Sequence, residues 1–189
     1  MVDFQHDIDH CLVTLQNGGL ILYPTDTIWG IGCDATNAKA VEKIYALKKR
    51  PDKKTMIALV ADTKQVLQHT AHPDPAVFDY LEKAIRPTTV IYAGAIGLAD
   101  NLIPPDGTIA IRICKEEFCK HLLKRFRKPI VSTSANISGG PSPKNFIEIG
   151  DEIKKGVDYI VQYRRDDLSM AQPSTVIAWE NGRAKILRS

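Results

Sequence analysis

The chain has no apolar run long enough to span a membrane. Its first residues, Met1 to His10, hold three aspartates and no leading basic cluster, so they do not read as a secretory or transit peptide. Cysteine is scarce. Cys11, Cys33, Cys114 and Cys119 form no Cys-x-x-Cys pair and no Cys/His metal spacing, which fits small buried residues in a reducing cytosol. Internal repeats, low-complexity tracts and linkers are also missing. The net charge of +3 permits contact with a phosphate backbone without requiring it. What remains, 189 residues of which 44% are hydrophobic and 25% charged, has the make-up of a single soluble domain, 1–189, with a sizeable core.

Hydrophobic spacing orders this domain. Phe4, Ile8, Cys11, Leu12 and Leu15 share one helical face, and Asn17-Gly18-Gly19 stops that helix. Leu20 to Tyr23 reads as a buried strand ended by Pro24. Asn37 caps a second helix that Pro51 closes at Arg50. Met56 to Val60 is a strand. Asp74-Pro75 opens a helix that runs to about Ile85. Strands follow at Thr88 to Tyr92 and Thr108 to Ile113, then a helix over Glu116 to Phe126. Further strands are expected at Pro129 to Ser132 and Val157 to Gln162. Asn181-Gly182 between Thr175–Trp179 and Ala184–Leu187 signals a tight hairpin. One antiparallel pair among alternating helices and strands predicts an α/β fold with a mixed sheet.

Four segments place polar residues where apolar strands and helices end. They are Tyr23-Pro24-Thr25-Asp26-Thr27 leading into Gly30-Ile31-Gly32; Lys48-Lys49-Arg50-Pro51-Asp52-Lys53-Lys54; Gly107-Thr108-Ile109-Ala110-Ile111-Arg112; and Ser132 to Pro143. Taken singly, each has a plain reading: a turn, a solvated helix end, a surface arginine, a loop. Together, cations beside hydroxyls and glycine-flanked backbone make a polyphosphate site. Neither common nucleotide loop is present: there is no Gly-x-x-x-x-Gly-Lys-Ser/Thr and no Gly-x-Gly-x-x-Gly. No His-Glu-x-x-His cluster or Ser-His-Asp or Cys-His set occurs, and all five histidines lie outside the four segments.

These segments, in this order, resemble the YrdC-like family of threonylcarbamoyl-AMP synthases from about Gly19 to Arg188. The match rests on Tyr-Pro-Thr-Asp-Thr with Gly-x-Gly, Lys-x-Arg-Pro, Gly-Thr-x-Ala-x-Arg, Ser-Ala-Asn-x-Ser-Gly, Ser-Thr-Val and a late Leu-Arg. The resemblance implies an open, twisted mixed sheet with flanking helices and a concave basic face. It implies that Thr27, Arg112, Ser132 and Ser174 hold L-threonine. Arg50, Lys54, Thr108, Ser134, Asn136, Ser142 and Arg188 would contact ATP, and Lys48 and Arg50 would act on the reacting phosphates. Bicarbonate would be the third substrate and Mg²⁺ would arrive on the ATP phosphates; no protein-held metal is implied. The protein would be cytoplasmic, and a separate transferase complex would pass the product to tRNA. Three departures stand out: Lys54-Thr55-Met56 where Lys-Pro-Leu is common, Leu59 where some members place a histidine on the substrate, and a shortened Pro87-Thr88-Thr89.

A rival reading is a double-stranded RNA-binding module of the same fold, using the basic stretch Lys120, Lys124, Arg125, Arg127 and Lys128. A second rival is carbamoyl-adenylate chemistry in metallocentre assembly, where such a module is usually fused to others. The four segments favour the synthase over both.

Overall fold

The computed structural model describes residues 4–50, 56–169 and 171–189. Helix α1 (Gln5–Gln16) buries Ile8, Cys11 and Leu15 along the predicted face. It ends where Gly18 turns left-handed at φ 68° and Gly19 donates its N–H to the Thr14 carbonyl at 2.8 Å. Strands β1 (Ile21–Tyr23) and β2 (Gly30–Gly32) then form an antiparallel pair. Helix α2 (Ala38–Leu47) starts at Asn37, whose side chain accepts from the N–H groups of Lys39 and Ala40. It stops at Leu47, short of Arg50, because Lys48 caps it and Lys49 is left-handed at φ 49°.

Next come β3 (Ile57–Val60), α3 (Thr63–His69), α4 (Ala76–Lys83) and β4 (Thr88–Tyr92). A 3₁₀ turn (Asp100–Leu102) precedes β5 (Ile109–Ile113). Helix α5 (Glu117–Phe126) is capped by the Glu116 carboxylate, which accepts from the Cys119 N–H, and by left-handed Arg127. The chain continues through β6 (Ile130–Ser134), α6 (Asp151–Gly156), β7 (Tyr159–Ile160), β8 (Thr175–Glu180) and β9 (Arg183–Arg188).

The strands join in one mixed sheet in the order β7-β1-β2-β6-β3-β5-β4-β8-β9. The pairs β1–β7, β3–β5 and β4–β8 are parallel; the other neighbours are antiparallel. The expected hairpin is present, with Asn181 and Gly182 both at positive φ, as a two-residue turn of this kind requires. Strand β2 has no counterpart among the predicted elements: three residues, two of them glycine, carry no strand signal.

Alternation along β5 sets two faces. Ile109 and Ile111 enter the core with Phe118, Leu122 and Leu123 of α5, while Thr108, Ala110 and Arg112 face the other way. Helices α1 and α5 pack together, with Phe4 edge-on to Phe118 at 5.7 Å between ring centroids. All four cysteines are buried, and burial raises the thiol pKa of Cys11, Cys33 and Cys119, which leaves them unreactive. Among the described residues, no helix is long and apolar enough to cross a membrane.

Candidate functional site

The face opposite the core isoleucines opens into a cavity of about 850 Å³. Period-two alternation delivers its wall: Thr89 and Ile91 from β4, Thr108, Ala110 and Arg112 from the approach to β5 and β5 itself, Ser132 and Ser134 from β6. Ser174 and Val176 enter from the start of β8, Arg188 from β9, and Lys48 and Arg50 from the end of α2. Eleven of the twelve residues singled out from sequence line this one cavity: Thr27, Lys48, Arg50, Thr108, Arg112, Ser132, Ser134, Asn136, Ser142, Ser174 and Arg188. The twelfth, Lys54, lies outside the described residues, as does Thr55. Their clustering fits the expected site.

Arg112 is the most constrained of them. It is 3% exposed, so it is not a surface arginine. Its Nη2 donates to Thr27 Oγ1 at 3.2 Å and lies 3.1 Å from Asp26 Oδ1. Thr27 is held in turn by Thr25, whose hydroxyl accepts from the Thr27 N–H at 3.1 Å and donates to the Ile28 carbonyl at 2.8 Å. The Arg112 Nε is buried with no hydrogen-bond acceptor. An unanswered buried donor on a cation, at a cavity wall, suits an incoming carboxylate.

Lys48 is also 3% exposed. Its Nζ donates to the carbonyls of Ser134 at 2.5 Å and Asn136 at 2.7 Å, and its own carbonyl accepts from the Ser138 N–H at 2.9 Å. The Asn136 amide donates to the Ile137 and Gly140 carbonyls, and its Oδ1 is left buried and unpartnered. Burial, followed by the neighbouring charge of Arg50, pulls the Lys48 pKa down to about 8. Lys48 therefore braces the loop after β6 with two of its three donors. Arg188 donates through Nη2 to the Ser174 carbonyl at 3.1 Å, and the Ser174 hydroxyl meets that of Thr89 at 2.8 Å.

Sequence reasoning did not single out Thr89, Ser138 or Trp29, all of which line the cavity. Thr89 could have been found: it shares a strand face with Ile91, opposite the fully buried Val90. Leu59 is fully buried and is not part of the lining; as the strand partner of Arg112 it puts an apolar residue on the cavity's face of the sheet, beyond the cavity itself. Among the described residues the lining holds five cationic side chains and no carboxylate, histidine or cysteine, and no group of three or more acidic, histidine or cysteine residues could hold a metal.

The Sua5/YciO/YrdC family model, described as telomere recombination, matches residues 13–189. The chain belongs to this family. Within it, the chain is 31% identical to the threonylcarbamoyl-AMP synthase of Pseudoalteromonas translucida, over 95% of this chain and 96% of that protein. It is 36% identical to the threonylcarbamoyl-AMP synthase of Saccharophagus degradans, over 75% of each. The fold matches E. coli YciO with a TM-score of 0.82 at 24% identity, covering 97% of this chain and 89% of that one. It matches P. abyssi Sua5, solved in complex with L-threonine, with a TM-score of 0.87 at 22% identity. The chain is covered completely in that match and spans 55% of the Sua5 chain.

Proposed function

We propose that this family member is a threonylcarbamoyl-AMP synthase, a nucleotidyltransferase serving tRNA modification. The observation that carries the reading is the single cavity that gathers the Lys-x-Arg, Gly-Thr-x-Ala-x-Arg and Ser-x-Asn segments around a buried arginine with a free donor. Relatives named for this activity, at about 30% identity or more across most of the chain, support it. The threonine amine combines with bicarbonate, releasing water, to give a carbamate. The carbamate oxygen then attacks the α-phosphorus of ATP and expels pyrophosphate. A carbamate is already an anion, so this step needs no base, in keeping with a wall built of hydroxyls and cations. Catalysis then rests on positioning and on charge stabilisation.

In this reading Arg112 clamps the threonine carboxylate, with Thr27, Ser132 and Ser174 around the rest of the amino acid. Arg50, Arg188, Thr108, Ser134, Asn136 and Ser142 receive the nucleotide, together with Lys54. Lys48 contributes its charge and holds the loop. The wall offers no carboxylate among the described residues, which fits Mg²⁺ carried on the triphosphate with water, where it would offset phosphate charge. The product would go to a separate transferase acting on tRNA in the cytoplasm. Direct RNA contact finds less support: of the basic stretch, Arg125 pairs with Asp9 at 2.8 Å and Lys128 with Asp34 at 2.7 Å.

The test is a matrix of omissions read by pyrophosphate release and by the mass of the adenylate. Pyrophosphate is expected only when threonine, bicarbonate, ATP and Mg²⁺ are all present, with RNA unnecessary. Release from threonine and ATP in bicarbonate-free buffer would indicate ordinary amino-acid adenylation. Background signal from folded protein with all four components would overturn the reading, and RNA affinity falling steeply with salt would then favour the binding module.

A further inference from the structure

The cavity must take two kinds of anion, a monocarboxylate and a polyphosphate, and its cations are not equivalent. Among the described residues, Lys48, Arg50 and Arg188 have no carboxylate partner. Lys49 has an exposed one, Glu152 at 2.6 Å, and Arg112 has one that is mostly buried: Asp26 Oδ1 stands 3.1 Å from its Nη2, with the two side chains 11% and 3% exposed. Asp26 itself does not line the cavity, so it meets the contents only through Arg112. The contact is electrostatic more than directional, since Asp26 Oδ1 takes no hydrogen bond of good geometry. The guanidinium is thus fixed at Nη2 by Asp26 and Thr27, while Nε stays free. Arg112 and Arg188 are close enough to feel each other: after burial, the charge of Arg112 is what pulls the Arg188 pKa down.

From this we infer that Asp26 is a positioning and specificity residue: by compensating Arg112 it reserves that arginine for the amino-acid carboxylate and keeps the polyphosphate on the unpaired cations. Two guanidinium groups lining one cavity with no counter-charge would form a second phosphate clamp, because a multiply charged anion outcompetes a single carboxylate for uncompensated cations. A mostly buried carboxylate paired with one of them lowers the local potential to what one carboxylate can answer. The inference rests on the threonine site proposed above.

The probes are threonine and inorganic tripolyphosphate, titrated separately and together by calorimetry. In the unmodified protein, saturating tripolyphosphate should leave threonine affinity within about twofold, and competition between the two would overturn the inference without any variant. In Asp26→Asn, which keeps the shape and removes the charge, tripolyphosphate should displace threonine, raising its apparent Kd at least tenfold. Asp26→Glu, which restores the charge, should restore simultaneous binding. A variant that melts earlier yet still binds both ligands together would make Asp26 merely structural and end the proposal. Failure of the unmodified protein to bind threonine at all would instead refute the site assignment.

Discussion

Lys48 sits among carbonyl oxygens rather than carboxylates, and this decides how its charge answers to pH. Its pKa is about 8 in the fold against 10.5 ordinarily. Between those values the unfolded chain binds more protons, so the Lys48 contribution makes stability rise with pH across that window, whereas below about 8 the buried ammonium weighs against the fold. Activity should run the other way, declining as pH rises through about 8, because the neutral amine can still donate to two carbonyls and hold the loop but has lost its charge. Denaturation midpoints and rates measured from pH 7 to 10.5 check this, and Lys48→Met should abolish the stability trend. Arg50 is different: it lines the cavity, and no ion pair or hydrogen bond of its side chain is seen among the described residues. Arg50→Ala should lower kcat/KM well over tenfold, about 2–4 kcal/mol of transition-state stabilisation, with the melting temperature nearly unchanged. Both residues were legible in the sequence because the Lys-x-Arg spacing is local. That Lys48 would turn onto the Ser134 and Asn136 carbonyls was not, since that contact joins segments 86 and 88 positions apart.

At the scale of elements, the closeness of β1, β2 and β6 is what brings Thr27 and Ser132 to one wall. Gly32 permits it: a Cβ there would stand 2.6 Å from Tyr23 Cε1 and 2.7 Å from the Val131 carbonyl oxygen. The carbonyl belongs to the sheet and cannot step aside, so Gly32→Ala should destabilise by about 1–3 kcal/mol. For a chain of this size that is a fall of about 2–4 °C per kcal/mol, measurable by calorimetry. The long, strongly patterned elements α1, α2, α5, β4, β8 and β9 could be read from spacing and caps. Helix α3, with its Asp62 cap, and three-residue β2 could not: short elements owe their form to neighbours far away in sequence.

For the whole molecule, the mixture of parallel and antiparallel pairs was foreseeable from one hairpin, but the strand order was not. Local pattern says which face of β5 is apolar; it does not say that β6 enters between β2 and β3. That insertion has a consequence for a chain leaving the ribosome. Ile57 to Val60 is made early, yet both of its sheet neighbours, β5 and β6, come later, the second only when residue 130 and its successors emerge. At about 5–20 residues per second, the roughly 50 residues between Val60 and Ile109 keep both edges of an apolar strand unpaired for several seconds, and the edge that β6 will cover waits for roughly 70. Over that interval the nascent chain is a natural client for holding chaperones, and closure of such long loops makes refolding slow relative to a helical bundle of equal length.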